Sequence, residues 1–339
     1  MEKTATARLR RTAVLIGVCA ALTGRALAAD ALIPVGEAVG IRLDVEGVLV
    51  AGTGVVETPD GPASPAEDAG IRAGDVITEL DGVPVERAEE LAEELARLDK
   101  NGAELTVERD GREMRVSVAP VPSDEAGGQQ RVGLWLRDGV TGIGTLTYID
   151  PETGGFGALG HCVSDAAGGA PLTVEDGGVS AARIVDVTPG RPGAPGELSG
   201  SFGGENEIGV IEKNTGCGVF GTVRRPTEGL REAVPVASPD EVVNGEATIL
   251  ACVSGEEARE YRVEIARTGF MTGTGRDLTV KVTDPELLAR TGGIVQGMSG
   301  SPILQNGKLV GAVTHVLTAD PARGYGIFAE TMLRAAAAA

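Results

Sequence analysis

The stretch GMSGSPILQNGKLVGAVTH, Gly297 to His315, decides how this chain is read. Two serines stand among glycines, a proline follows, and apolar residues then alternate around an Asn-Gly pair. A serine hydroxyl serves as a nucleophile when a tight turn projects it while neighbouring backbone N–H groups converge on the carbonyl oxygen under attack. Gly297 and Gly300 allow such a turn. The amides of Gly297 and Ser299 are then placed to form an oxyanion hole, in which each donor is worth roughly 3 kcal/mol. The run ILQNGKLVGAVTHV reads as a hairpin closed by a two-residue Asn-Gly turn, which would support the serine from behind.

Outward from that turn, the C-terminal two thirds of the chain consist of short β-like runs: VGLWLRDG, TGIGTLTYID, ARIVDV, EIGVIEK, ATILACV, YRVEIARTG, LTVKVTD and KLVGAVTHV. Glycine or proline punctuates nearly all of them. No strand-helix alternation points to a parallel sheet, and no phosphate loop is present, so the pattern is that of a closed antiparallel barrel or a sandwich. Composition agrees: 51 glycines and only 3% aromatic residues in a chain that is 42% hydrophobic suit aliphatic β cores with many turns. At 339 residues the chain has room for two domains. Its net charge of -19 excludes a nucleic-acid backbone as partner, because phosphate binding requires a basic surface.

Lys3, Arg8, Arg10 and Arg11 precede the apolar run Ala13 to Leu22, and small residues at Ala26 and Ala28 follow it. That order of features marks residues 1–30 as an export signal or an N-terminal membrane anchor, with cleavage undecided. Beyond Cys19 in that segment, Cys162, Cys217 and Cys252 leave an odd number, which allows one disulfide plus a free thiol. No Cys/His spacing suggests zinc, so no metal and no cofactor are expected.

Before the β-rich region, Ser64 and Pro65 open a short helix that Gly70 closes, and Glu86–Leu98 places Leu91, Leu95 and Leu98 on one helical stripe. SPAEDAGIRAGDVITELDGVPV, Ser64 to Val85, resembles the PDZ family in the variant found in bacterial proteases. The resemblance implies an α+β PDZ domain over residues 31–122. It also implies that the turn Val39-Gly40-Ile41-Arg42 offers backbone amides to the terminal carboxylate of a peptide added as a strand. Polar SDEAGGQQR, residues 123–131, reads as a linker. The second domain then covers residues 132–339.

Of the two histidines, His161 lies in GALGHCVSD and His315 in the strand beyond the serine turn. An alcohol near neutral pH attacks only as its proton is removed, which requires a base such as His161 for Ser299. GMSGSP resembles the GDSGGP of chymotrypsin-like serine peptidases, and GHCVSD is similar to the segment around their catalytic base. Ser301 then stands where that fold has a glycine, and reads as a turn residue. His315 either contacts substrate or is a satisfied strand histidine; Cys162 reads as packed or disulfide-bonded, and Ser164 needs no nucleophilic role of its own.

With a PDZ domain first, GHCVSD, and GGIVQGMSGSPILQNGKLVGAVTHVLTADPARGYGIF near the end, the chain resembles the stage IV sporulation protein B peptidase family. That resemblance implies a PDZ domain followed by a chymotrypsin-like double β-barrel, and Asp284 in KVTDPELL as the carboxylate that orients His161. Asp165 and Asp186 are its rivals, and capping of a helix that begins at Pro285 is its alternative role. The family also implies an exported endopeptidase of the intermembrane space of the forming endospore. Such an enzyme cleaves itself near its N-terminus, between Leu22 and Val39 here, and cuts the regulatory partner of an intramembrane protease to activate the late mother-cell sigma factor. The competing reading is a non-catalytic PDZ scaffold on a decayed peptidase fold. A general quality-control protease fits less well, because such enzymes place the peptidase before the PDZ domain.

Overall fold

The computed structural model describes residues 31–99, 101–164, 171–203, 206–224, 229–268 and 275–338. Residues 1–30, read above as signal or anchor, and Asp165 lie outside them. Among the described residues no helix is long and apolar enough to cross a membrane.

The chain is mainly β, with a PDZ domain and two six-stranded barrels. It begins with β1 (Ala31–Pro34) and β2 (Ala38–Thr53). It continues through α1 (Pro65–Asp68), β3 (Val76–Leu80), β4 (Val83–Pro84), α2 (Ala88–Arg97), β5 (Ala103–Arg109), β6 (Arg112–Val118), β7 (Val121–Pro122) and β8 (Gln130–Arg131) to the long β9 (Leu134–Ile149). After β10 (Gly155–Ala158), β11 (Asp176–Ala181), β12 (Arg183–Thr188) and β13 (Glu197–Ser201) come β14 (Glu207–Thr215), β15 (Gly218–Val223) and β16 (Val234–Pro235). The last part holds β17 (Gly245–Ala251), β18 (Arg259–Arg267), β19 (Leu278–Val282), α3 (Pro285–Thr291), β20 (Pro302–Gln305), β21 (Lys308–Val316), β22 (Arg323–Phe328) and α4 (Ala329–Ala337).

Antiparallel pairing closes β2, β9, β10, β15, β14 and β11 into the first barrel, the ring being completed where β2 pairs with both β9 and β11. The second barrel runs β17-β18-β19-β22-β21-β20. Closure leaves neither barrel with a free edge along its ring.

The PDZ domain does not simply precede the first barrel. Residues Ala38–Asp44 of β2 lie in the barrel, whereas Val48 and Leu49 pair with β3 of the PDZ sheet. The return strand β9 divides in the same way, with residues 134–137 opposite the far part of β2 and residues 139–145 opposite its barrel part. The PDZ elements are therefore inserted between the halves of two shared strands, which corrects the expected boundaries at 31 and 132. Between Asp44 and Leu49 the register slips, and Gly47 sits at φ +112° where a Cβ would come within 2.5 Å of the Ile77 carbonyl oxygen. A bulge of this kind bends a strand, and here it redirects β2 from one sheet to the next. The inward positions change parity across that glycine, from Val39, Ile41 and Leu43 to Val48 and Val50, so the bulge leaves a trace in the sequence but does not say which sheet each half joins.

Side chains confirm the division. Val39, Ile41, Leu43, Leu146 and Ile149 fill the first barrel, while Val48 and Val50 join Leu91, Leu95, Leu105 and Val107 in the PDZ core, with Leu134 and Leu136 packed against it. Burying each such side chain contributes about 1.5–3 kcal/mol. The second barrel has its own core around Ile249, Val263, Val280, Leu287, Met298, Ile303 and Val313. The polar stretch 123–131 is less free than a linker: Ser123 is buried, and Gln130–Arg131 pairs with Val121–Pro122.

Candidate active site and peptide groove

The serine turn enters from α3 and leaves into β20. Gly297 and Gly300 adopt φ +94° and +98°, backbone that side-chain-bearing residues rarely tolerate. At Gly300 a Cβ would also meet the Thr145 carbonyl oxygen at 2.0 Å. Met298 anchors the turn in the second core and Ser299 remains partly exposed. Among the described residues nothing accepts a hydrogen bond from the N–H of Gly297 or Ser299. Two unspent donors beside a serine hydroxyl supply the parts of an oxyanion hole. The hydroxyl itself donates to the Thr314 carbonyl on β21 at 2.6 Å.

His161 follows β10 through a strained bend. Leu159 takes φ +67° and Gly160 +72°, so a bulky residue is held in left-handed backbone next to the imidazole. Such strain costs of order 1–3 kcal/mol and persists only where packing enforces it; Leu159 is buried in the first core. The His161 Nδ1 lies 2.7 Å from the Cys162 carbonyl oxygen. Because a carbonyl can only accept, Nδ1 carries the proton and Nε2 keeps its lone pair. Burial lowers the His161 pKa, against the smaller opposing effect of the Cys162 carbonyl.

His161, Cys162, Val163 and Ser164 form one wall of a cleft of about 600 Å³; Gly297, Ser299, Thr314 and His315 form the opposite wall, and Val140, Gly142 and Ile143 of β9 line it as well. The structure thus brings His161 and Ser299 together between the two barrels. It also brings in His315, whose ring centroid lies 5.0 Å from that of His161. The buried Nδ1 of His315 has no hydrogen-bond partner, so this is not a satisfied strand histidine. Burial, followed by the positive charges of His161 and Arg276, pushes its pKa down to about 4.

Asp284 does not join them. Its carboxylate accepts from the N–H groups of Glu286 and Leu287 as the N-cap of α3, lies 3.6 Å from Arg262, and is not part of the cleft wall. Those backbone donors, aided by Arg262, hold its pKa below the usual carboxylate value despite the opposing effect of burial. The Asp-Pro pair at a helix start was the only local signal, and it served the cap. The rival Asp186 is exposed on β12 and is also absent from the cleft. Within the described residues the proton on His161 Nδ1 is therefore held by a backbone carbonyl rather than by a carboxylate. Ser301 is fully buried, its hydroxyl without a hydrogen-bond partner, while its N–H donates to the Met298 carbonyl and its carbonyl accepts from Val313 N–H, which suits a structural turn position. Cys162 and Cys252 are free thiols, and burial raises the Cys162 pKa, which disfavours a nucleophilic thiolate. Among the described residues no group of three or more His, Cys, Asp or Glu side chains is arranged to hold a metal.

The expected carboxylate-binding turn is also corrected. Val39, Gly40, Ile41 and Arg42 lie mid-strand in β2, opposite Gly144–Thr141 of β9 on one side and Ala181–Gly178 of β11 on the other. Their backbone is committed to the barrel. Gly40 is required because a Cβ there would overlap the Phe202 ring at 2.0 Å, and Arg42 pairs with Asp44 and Asp176.

A second stretch of the same pattern has the properties the first lacks. VGLWL, Val132 to Leu136, repeats the V-G-apolar-x-L of VGIRL, Val39 to Leu43. It borders a cleft of about 470 Å³ lined by Ala92, Leu95 and Ala96 of α2 and by residues 129–136. Among the described residues the N–H groups of Val132 and Gly133 donate to nothing, and Leu134–Arg137 pair with β2 on one edge only. Consecutive unpaired amides, an unpaired strand edge and an apolar helix wall are what a strand-adding peptide with a terminal carboxylate requires. Trp135, the sole tryptophan, stands 65% exposed beside this groove with its indole over Gly52 and Gly54.

Comparison with known families agrees with this geometry. A family model described as SpoIVB peptidase S55 matches residues 128–333, and a PDZ domain model matches residues 61–109. No curated protein matches the chain.

Proposed function

The chain belongs to the SpoIVB peptidase family and is a serine peptidase carrying a PDZ domain; from this premise we propose that Ser299 is its nucleophile and His161 its general base. The observation that carries the reading is the cleft in which the Ser299 hydroxyl, the His161 imidazole and the unspent amides of Gly297 and Ser299 meet. Attack begins with rotation of Ser299 Oγ from the Thr314 carbonyl toward the imidazole; such contacts commonly tighten only when substrate is bound. Oγ then bonds to the substrate carbonyl carbon while its proton passes to Nε2, and the two amides receive the oxyanion. The tetrahedral centre collapses, the C–N bond breaks, and the imidazolium returns the proton to the departing amine. Water, deprotonated by the same base, hydrolyses the acyl-enzyme.

The family supports further expectations that belong to this proposal. The protein is exported, acts in the intermembrane space during endospore formation, cleaves itself near its N-terminus, and cuts a regulator of an intramembrane protease. The groove between α2 and β9 holds a peptide C-terminus during these events.

Covalent labelling by a fluorophosphonate, which requires an activated hydroxyl, tests the nucleophile. The wild type should carry one label on Ser299 and the Ser299→Ala variant none; an unlabelled wild type would make the chain a non-catalytic scaffold. N-terminal sequencing of both proteins after export tests self-cleavage, and identical N-termini would exclude it.

A further inference from the structure

Thr145 of β9 is fully committed to the site. Its N–H donates to the Ser299 carbonyl at 2.9 Å, its hydroxyl donates to the Gly297 carbonyl at 2.8 Å, and its own carbonyl accepts from Leu159 N–H at 3.3 Å. One buried residue therefore bridges the turn that carries the nucleophile and the strained bend that carries His161. The two contacts hold the Gly297–Met298 and Ser299–Gly300 peptide planes, which flank the plane that carries the Ser299 N–H.

The same strand reaches the groove. β9 runs without interruption from Leu134 at the groove, past Val140, Gly142 and Ile143 in the catalytic cleft, to Thr145. At about 3.3 Å per residue, Leu136 and Thr145 are about 30 Å apart along it. Its Asp138 also accepts from the Ala88 N–H at 2.6 Å, tying the start of α2 to the strand, so both walls of the groove are fastened to β9.

We propose that Thr145 is a positioning residue for Ser299 and His161, and that β9 transmits the docking of a peptide C-terminus in the α2/β9 groove to that residue. A peptide added to the edge of Leu134–Arg137 straightens and stiffens the strand, and stiffening narrows the positions open to Thr145 and to both catalytic turns. The inference rests on the peptidase and groove readings above, and goes beyond them by naming the mechanical link. The ligand class is a peptide with a free α-carboxylate and an apolar last residue, matched to the amides of Val132 and Gly133 and to the wall formed by Ala92, Leu95 and Ala96.

The test uses the full chain, a hexapeptide ending in valine with a free carboxylate, and the same peptide amidated. Trp135 fluorescence reports docking, and the rate of fluorophosphonate labelling of Ser299 reports the site. The free acid should change the fluorescence and raise the labelling rate about fivefold or more, the range of ordinary allosteric coupling, whereas the amide should do neither. Thr145→Val should bind the free acid with unchanged affinity, label about fivefold more slowly for the lost hydrogen bond, and lose the response to peptide. Thr145→Ser, which keeps the hydroxyl, should restore both rate and response.

A peptide that docks on the wild type without altering labelling overturns the coupling, as does a Thr145→Val protein that responds like the wild type. Absence of a fluorescence change overturns the groove reading, and absence of any labelling overturns the peptidase reading; each takes the coupling with it. Hydrogen exchange of the wild type gives a check that needs no variant. Bound peptide must slow exchange over 297–301 as well as over 133–138, and protection confined to the groove overturns the proposal.

Discussion

The imidazoles of His161 and His315 lie in the cleft that holds Ser299, with ring centroids 5.0 Å apart and planes tilted by 39°. They come from different barrels, one from the bend after β10 and the other from β21, so closure of the two barrels on each other creates the pair. Removing each ring separates their roles. His161→Ala should slow labelling of Ser299 by about 10²-fold or more, the loss expected for a general base, and His315→Ala by about tenfold. Measured labelling rates in the reverse order would transfer the base to His315, whose neighbour Thr314 already holds the serine hydroxyl.

Burial keeps both rings neutral below the ordinary histidine range, with His315 at about 4. The acid limb of labelling against pH should therefore fall below the usual imidazole value of about 6.5. The sign for stability follows from the same shift. The unfolded chain binds protons below pH of about 6.5 that the folded histidines refuse, so the full contribution is present above that value. It is lost as pH falls from there toward 4. Denaturant midpoints measured across that window should decline with acidity, and the His315→Ala protein should decline less.

Asp284 makes a prediction opposite to that of a catalytic carboxylate. Asp284→Ala should cost about 1 kcal/mol of stability through the lost cap, read as a lower denaturant midpoint, while the folded protein keeps labelling at Ser299. Labelling abolished at unchanged stability would restore Asp284 to the site.

Gly300→Ala should destabilise the second barrel by about 3 kcal/mol or more and abolish labelling, because the new Cβ meets the Thr145 carbonyl within 2.0 Å in left-handed backbone. Gly307, at φ +73° with open space around it, provides the comparison: Gly307→Ala bears only the backbone strain, about 1 kcal/mol. Thermal melts of the two variants decide the point, and equal costs would show that the contact with Thr145 does not shape the turn.

Ala92→Glu should leave the melting temperature unchanged within about 2 °C and weaken binding of a free-acid peptide about tenfold or more, since Ala92 is partly exposed on the groove wall and the new charge repels a carboxylate. Trp135 fluorescence titrations measure it, and an unaltered affinity would place the peptide elsewhere.

Much of this protein was legible in one dimension wherever the cause is local. The serine turn was readable because a hydroxyl between glycines at positive φ is a property of six consecutive residues. The helix over Ala88–Arg97 followed from the spacing of Leu91 and Leu95, and an antiparallel barrel or sandwich followed from short runs cut by glycine, the double barrel coming from the family resemblance. Insertion of the PDZ domain into the first barrel was not readable, because the parity change at Gly47 marks a bulge without saying that the two halves of β2 join different sheets.

The sequence by itself determined the glycine-bounded serine turn and the aliphatic β architecture, since each depends on neighbouring residues and their backbone preferences, and its resemblance to known families supplied the PDZ and peptidase domains. Only the tertiary structure decided which of two V-G-apolar-x-L stretches keeps free amides. VGIRL lies between two partner strands that occupy its backbone, and VGLWL lies beside one strand and a helix that cannot. It likewise decided that Asp284 caps a helix while a carbonyl and a second imidazole surround His161, because the company a polar group keeps is set by chain segments distant in sequence.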